Sequence, residues 1–132
     1  MPTKVLQPQG WPVPRGYANG IKVSGELVFV AGMVGWDAAQ KFPPEFVDQT
    51  RLALQNIIAV LDVAGAGAEH IVRMTWYVVS IDQYLACQGR LGAAYREIMG
   101  KHYPAMTLVE VRRLVEPQAL VEIEATAVLP VV

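Results

Sequence analysis

The chain has 132 residues, a length that suits one domain spanning residues 1–132 around a single hydrophobic core. A formal net charge of −1 and the lack of any Lys/Arg block argue against a nucleic-acid partner. No apolar run approaches the ~20 residues that span a bilayer, and the first residues lack the features of a signal peptide, so we expect no membrane segment and a cytoplasmic location.

The N-terminal part of the chain is predicted to form an extended lead-in followed by a β-hairpin. Residues 1–20 are rich in Pro and Gly, which favours irregular structure. Residues 21–23 alternate between apolar and polar, and Gly25-Glu26 suits a turn. The run from Leu27 to Gly32 is apolar at consecutive positions, as in a strand covered on both faces.

Two helices and a strand are predicted in the middle of the chain. From Pro44 to Ala64, apolar residues recur at steps of three and four, which indicates one buried helical stripe. Residues from Ile71 to Val79 are typical of a strand. The segment from Ile81 to Met99 is predicted to be a second helix that Gly100 ends.

The last third returns to strands, from Thr107 to Val111 and from Ala119 to Val128. The predicted order is β-β-α-β-α-β-β, an α+β fold in which both helices lie on one face of a mixed sheet. The other face keeps apolar residues that this chain cannot cover. Only 17% of residues are charged, against about 25% in typical soluble domains, so we expect other subunits to cover that face.

The sequence offers little sign of a metal or cofactor site. Cys87 is the single cysteine, and we interpret it as a packing residue. His70 and His102 lack the spacing of zinc ligands, and phosphate-binding glycine loops are missing, so no metal and no cofactor are expected. Three arginines, Arg73, Arg112 and Arg113, are expected to be solvated or salt-bridged.

An ordered pattern of residues resembles the Rid/YjgF family, also called L-PSP endoribonuclease-like. The matching segments are Gly16 to Gly20, Leu27 to Met33, Gln49 with Ala53 to Ile57, Leu61 with Ala64-Gly65, Ile71 to Thr75, Tyr95, Tyr103 to Ala105 with Thr107, Leu114, and Leu120 to Ala125. The resemblance covers roughly residues 16 to 128.

The resemblance implies a chorismate-mutase-like fold that assembles as a homotrimer, with the sheets forming a closed barrel inside the helices. It also implies three clefts between subunits, each binding a small carboxylated metabolite. The family's best-characterised activity is hydrolysis of reactive enamines and imines, such as 2-aminoacrylate, to keto acids and ammonia. Some members are described as ribonucleases, an activity that the acidic charge balance here does not favour.

One position departs from the family pattern where it matters most. The family has an arginine directly after Pro-Ala, and its guanidinium holds the substrate carboxylate by paired hydrogen bonds. This sequence has Met106 there, which has no donor. Activity on 2-aminoacrylate is therefore expected to be absent or very weak. Ala31 is a second departure, at a position where the family often has serine.

The remaining candidate residues match the family. Glu122 corresponds to the glutamate credited with positioning a water molecule, although a structural role at the subunit boundary fits equally well. Tyr17 corresponds to the cleft tyrosine, and an interface role is an equal alternative. Gly32 would let a ligand approach the backbone closely. Trp36 either stacks on a ligand or lies in the subunit contact, and we favour the contact.

Two functional hypotheses follow. The first is a divergent imine or enamine deaminase, a hydrolase in which Glu122 and Tyr17 are catalytic and Gly32, Ala31, Met106 and Trp36 bind the ligand. The second is a non-catalytic trimeric protein that binds a small metabolite.

Overall fold

The computed structural model describes residues 3–131. The strands are β1 (Lys4–Val5), β2 (Ile21–Lys22), β3 (Glu26–Val34), β4 (Ile71–Val78), β5 (Ala105–Glu110) and β6 (Val121–Leu129). The helices are α1 (Phe46–Val63), α2 (Ile81–Ala86) and α3 (Gln88–Met99), and a 3-10 turn covers Ala68–His70.

Four strands form the central sheet in the order β3-β6-β4-β5. The β3/β6 and β6/β4 pairs are antiparallel and the β4/β5 pair is parallel, so the sheet is mixed as predicted. Helices α1 and α3 pack against each other, and α1 also packs on β3 and β6. The α+β architecture with its long helices on one face of the sheet is confirmed.

The predicted hairpin of residues 21–32 is wrong. Strand β2 instead pairs antiparallel with β1, with Lys4 opposite Lys22, so the lead-in is not wholly irregular. Strand β3 pairs along its length with β6, with Glu26 opposite Leu129. Both β3 and β6 have nine residues, and the long ladder of hydrogen bonds between them, interrupted by one bulge, outweighs a short local hairpin.

The second predicted helix is interrupted at Cys87, where the backbone leaves the helical region with φ −128° and ψ 29°. The Cys87 thiol donates to the carbonyl oxygen of Gln83 at 3.3 Å, which satisfies a carbonyl at the end of α2. Burial raises the pKa of this thiol, in agreement with a packing role. Gly100 ends α3 with φ 64°, as predicted.

The core lies between α1 and the sheet, where Leu54, Ile57 and Leu61 are fully buried. The opposite face of the sheet is uncovered within one chain. Two apolar side chains there show this, since Phe29 is 73% exposed and Leu27 is 61% exposed. Across the described residues, no helix combines the length and apolar character needed to cross a membrane.

Candidate functional site

Tyr17 and Met106 border the same cavity, which has a volume of about 520 Å³. The cavity lies between the segment from Arg15 to Tyr17, helices α2 and α3, and strands β4 and β5. Tyr17 is 43% exposed, so its phenol is accessible at the rim. Two of the predicted site residues are thus brought together.

The chain folds locally in a way that holds Tyr17 beside the start of β5. The N–H of Ala18 donates to the carbonyl oxygen of Pro104 at 3.0 Å, and Ala18 forms an isolated parallel bridge with Ala105. Met106 follows directly in β5, with Met74 opposite it in β4. The contacts of Ala18 with Pro104 and Ala105 therefore hold Tyr17 close to Met106.

Aromatic rings form much of the cavity wall. The rings of Tyr95 and Tyr103 are stacked with centroids 5.4 Å apart, and Trp76 lies 6.4 Å from Tyr95. The Tyr95 hydroxyl donates to the carbonyl oxygen of His102 at 2.6 Å, and burial raises the pKa of this phenol. Such a wall is suited to an apolar or planar ligand.

Two cations at this cavity, Arg15 and Arg96, are not indicated by any sequence pattern. Arg15 and Arg96 border it, whereas Arg73 borders a second pocket on the other face of the sheet. Arg112 and Arg113 are exposed and lie outside both pockets. Spacing along the sequence could not reveal that Arg15 and Arg96 border one cavity, because Arg15 precedes the first long strand and Arg96 lies on α3.

Glu122, Gly32 and Ala31 lie on the opposite face of the sheet. The register between β3 and β6 shifts between Val30 and Met33, which places Ala31 and Gly32 in a bulge. The Glu122 carboxyl packs against Gly32 so closely that a Cβ there would lie 2.5 Å from Oε2. The bulge and the glycine together make room for the carboxylate.

The neighbouring carboxylate, Glu124, is engaged by a hydrogen bond. The Tyr77 hydroxyl donates to Oε1 of Glu124 at 2.7 Å. This bond, burial and the nearby carboxylates raise the pKa of Tyr77. Glu124 also borders a pocket of about 410 Å³ that includes Ala31 and Phe29. Its interaction with Tyr77 distinguishes it from Glu122, whose carboxylate packs against Gly32.

Trp36 lies apart from both pockets. Its ring is half-buried and packs on Phe42 with centroids 5.5 Å apart. The Asn56 amide donates to the carbonyl oxygens of Val34 and Trp36, both at 3.0 Å, and so ties α1 to the chain just beyond Gly32. In the sequence, Asn56 stands out only as a position that matches the family, although a polar residue beside an apolar helical stripe is the signal for such a role.

The predicted site residues therefore form two sets. Tyr17 and Met106 lie on the helix-covered side, because Met106 is opposite Met74, whose side chain is buried in the core. Glu122 is opposite Tyr77, which lies three residues after Met74 in β4. Side chains alternate between the two faces of a strand, so Tyr77 and Glu122 lie on the face opposite to Met74. Within one chain the sheet separates the two sets. In the part of the chain from residue 3 to 131, no group of three or more His, Cys, Asp or Glu side chains could hold a metal ion.

Comparison with known proteins gives consistent matches over nearly the whole chain. The family model described as endoribonuclease L-PSP matches residues 12–129. A RutC family protein of Pyrococcus horikoshii is 32% identical over 127 residues, which cover 94% of this chain and 96% of that protein.

Solved structures give the same answer. The crystal structure of a conserved Rid family protein of unknown function, YyfB from Yersinia pestis, superposes with a TM-score of 0.82 at 34% identity, covering 98% of this chain and all of that one, 100%. The crystal structure of Escherichia coli TdcF with bound serine has a TM-score of 0.69 at 28% identity and covers 95% of this chain and 98% of that one. TdcF carries the name of a reactive intermediate deaminase.

Proposed function

Because this chain belongs to the Rid/YjgF family, the endoribonuclease L-PSP family of the matching model, we propose that it hydrolyses small imines or enamines. In this reaction water adds to the imine carbon, the carbon–nitrogen bond breaks, and a carbonyl compound and ammonia are released. The fold shared with TdcF, whose crystal structure contains bound serine, supports a small metabolite as ligand. No cofactor takes part in the proposed reaction.

The observation that carries the proposal is the position of Glu122. Its half-buried carboxylate is held against Gly32 at a bulge, where the glycine backbone is exposed. A carboxylate in this setting can accept a proton from water as the water attacks, while a backbone N–H orients the ligand. Tyr17 provides a second polar group, a phenol that can donate to the ligand.

A second copy of the chain is needed to bring these groups together. The sheet separates Glu122 from Tyr17 and Met106 in one chain, whereas a cleft between two copies can combine one set from each. The exposed side chains of Leu27 and Phe29 support association through the uncovered sheet face. The proposed assembly is a homotrimer with a ligand cleft at each subunit boundary.

Met106 limits which substrates the cleft can use. Its thioether has no donor for a carboxylate, so we propose that activity on 2-aminoacrylate is absent or very weak. The same residue favours a second candidate function, a trimeric protein that binds a small, more apolar metabolite without turning it over.

The decisive experiment is a coupled assay for keto acid and ammonia, using several enzymatically generated imino acids. The unmodified protein is expected to release both products, and Glu122→Gln to lower kcat by about 10² or more. Glu26→Gln changes an exposed glutamate at the start of β3 and serves as the matched control. Absence of turnover with every imino acid would instead favour the binding protein.

A further inference from the structure

Trp76 contains an unpartnered polar atom beside the cavity. The residue is 3% exposed, and its Nε1 has no hydrogen-bond partner among residues 3–131. A buried N–H without an acceptor destabilises a protein, so such groups are nearly always paired. Trp76 borders the cavity that contains Tyr17 and Met106. A ligand in this cavity that supplies an acceptor atom would give Nε1 the hydrogen bond that it lacks.

Two cations border the same cavity without an anionic partner. Neither Arg15 nor Arg96 forms an ion pair within the described part of the chain. The guanidinium of Arg96 lies over Gly92, where a Cβ would be 3.2 Å from Nη1, and Gly92 itself borders the cavity. Among residues 3–131 of one chain, no Asp or Glu borders the cavity. The charge that one chain contributes to this site is therefore complementary to an anion.

The rest of the wall is suited to a planar ring. Tyr84, Tyr103, Leu91 and Leu108 present aromatic and aliphatic surface, and Met106 adds a flexible thioether that packs well against aromatic groups. A volume of about 520 Å³ lies within the usual range for a small-molecule pocket. An aliphatic ligand as small as 2-aminoacrylate would leave much of this surface uncovered.

We propose that this cavity binds an aromatic carboxylate, with the carboxylate at Arg96, the ring against the aromatic wall and one ligand oxygen or nitrogen accepting from Trp76 Nε1. The inference rests on the proposed function, because the aromatic ligand is a substrate only if the protein hydrolyses imines. The substrates would then be 2-imino acids with an aromatic side chain. In that reaction the imine takes up one water molecule and yields the aromatic 2-oxo acid and ammonia, and the carboxylate is unchanged. Arg96 would hold this carboxylate from α3, at a different place in the cavity from Met106 on β5.

Binding can be measured without turnover by titration calorimetry with phenylpyruvate, a stable aromatic 2-oxo acid. Pyruvate lacks the ring and phenylacetone lacks the carboxylate, so each tests one part of the site. The unmodified protein is expected to bind phenylpyruvate at least about tenfold more tightly than either compound, since each removes a contact of the size of a buried ring or a charged hydrogen bond.

Two substitutions test the named residues. Arg96→Gln is expected to weaken phenylpyruvate binding by about tenfold, and to leave phenylacetone binding unchanged. Trp76→Phe keeps a ring but removes the N–H, and is expected to weaken binding roughly two- to tenfold while the free protein remains as stable as before, because an unpaired donor is removed. Trp11→Phe and Arg113→Gln alter an exposed tryptophan and an exposed arginine elsewhere and serve as controls.

The inference is overturned if the protein binds phenylpyruvate and pyruvate with equal affinity. It is also overturned if neither Arg96→Gln nor Trp76→Phe changes the affinity for phenylpyruvate. Failure to detect phenylpyruvate binding would overturn it as well. Tight phenylpyruvate binding without hydrolysis of any imino acid would support the ligand class and refute the proposed reaction. Hydrolysis of imino acids without a preference for the aromatic ring would support the reaction and refute the ligand class.

Discussion

The carboxyl group of Glu122 occupies the space that a side chain at position 32 would fill. A Cβ on Gly32 would lie 2.5 Å from Oε2 of Glu122 and 2.8 Å from its carboxyl carbon. The atoms that would clash belong to the end of a flexible side chain, not to the backbone. A larger residue at position 32 can therefore be accommodated, but only if the Glu122 carboxylate moves.

Gly32→Ala should separate folding from activity. We expect the free energy of unfolding to change by less than about 1 kcal/mol, because the Glu122 side chain can rotate away. Imine hydrolysis should fall by about tenfold or more, since the carboxylate leaves its position. Urea unfolding and the coupled assay measure the two effects. Gly89→Ala, where an added Cβ meets nothing within 4 Å, is the control. Full activity in Gly32→Ala would show that Glu122 need not stay where it is.

Met106→Arg should create the missing carboxylate contact. A charge-assisted hydrogen bond contributes about 1.5–3 kcal/mol, so kcat/KM for 2-aminoacrylate is expected to rise about ten- to a hundredfold. Met106→Leu preserves size and polarity and should show no gain. The prediction is contradicted if the unmodified protein already turns over 2-aminoacrylate efficiently, or if the arginine variant gains nothing while remaining folded.

Phe29→Glu should prevent association through the sheet face. Phe29 is 73% exposed in one chain, and a carboxylate there would be removed from water at every subunit contact. Light scattering or sedimentation at micromolar concentration is expected to give a trimer for the unmodified protein and a monomer for the variant. Val63→Glu, at a residue 90% exposed at the end of α1, should leave the trimer intact. A monomeric unmodified protein would refute the trimer.

Gln49→Ala should destabilise the fold strongly. The Gln49 amide donates to the carbonyl oxygens of Pro43 and Gln118, and its oxygen accepts from the N–H of Leu120 at 2.8 Å. Because Gln49 is 1% exposed, its loss leaves these groups unpaired, at about 3 kcal/mol or more in total. Gln55→Ala, on an exposed part of the same helix, should change the free energy of unfolding by less than about 0.5 kcal/mol. Similar urea midpoints for the two variants would contradict this role.

Stability should decline at alkaline pH through Tyr95. Burial, and then the charge of Tyr103, raise the pKa of this phenol above its ordinary value of 10.0. A group whose pKa is raised in the folded state stabilises the fold below its unfolded pKa, and this contribution is lost as the pH rises through the folded pKa. Unfolding free energy should therefore fall as the pH rises above about 10.

Tyr95→Phe should make that decline shallower. At neutral pH it should cost about 0.5–1.5 kcal/mol, because the hydrogen bond to the His102 carbonyl is lost. Urea unfolding from about pH 8 to pH 11 measures both effects. Tyr84→Phe, at a half-buried tyrosine of the same cavity, should keep the steep decline. An unchanged slope in Tyr95→Phe would show that other groups control alkaline unfolding.

Local sequence patterns predicted most of the elements. The three- and four-residue spacing placed α1 within two residues of its observed ends, and alternation placed β4 within one. Gly100 correctly marked the end of α3. The break in the helix at Cys87 was not predicted. Apolar spacing continues across Cys87, and the hydrogen bonds of its thiol to preceding carbonyl oxygens leave no sequence pattern.

The sequence by itself determined the family, the α+β class and the identity of the residue that replaces the arginine. Tertiary structure alone decided which strands pair, because β pairing joins residues far apart in the chain and length-matched partners outweigh local turns. It also decided that Tyr17 and Met106 share a cavity while Glu122 lies across the sheet. Only the tertiary structure showed that the indole N–H of Trp76 has no partner among residues 3–131 and that two arginines border the same cavity, because burial and charge complementarity are properties of neighbours in space.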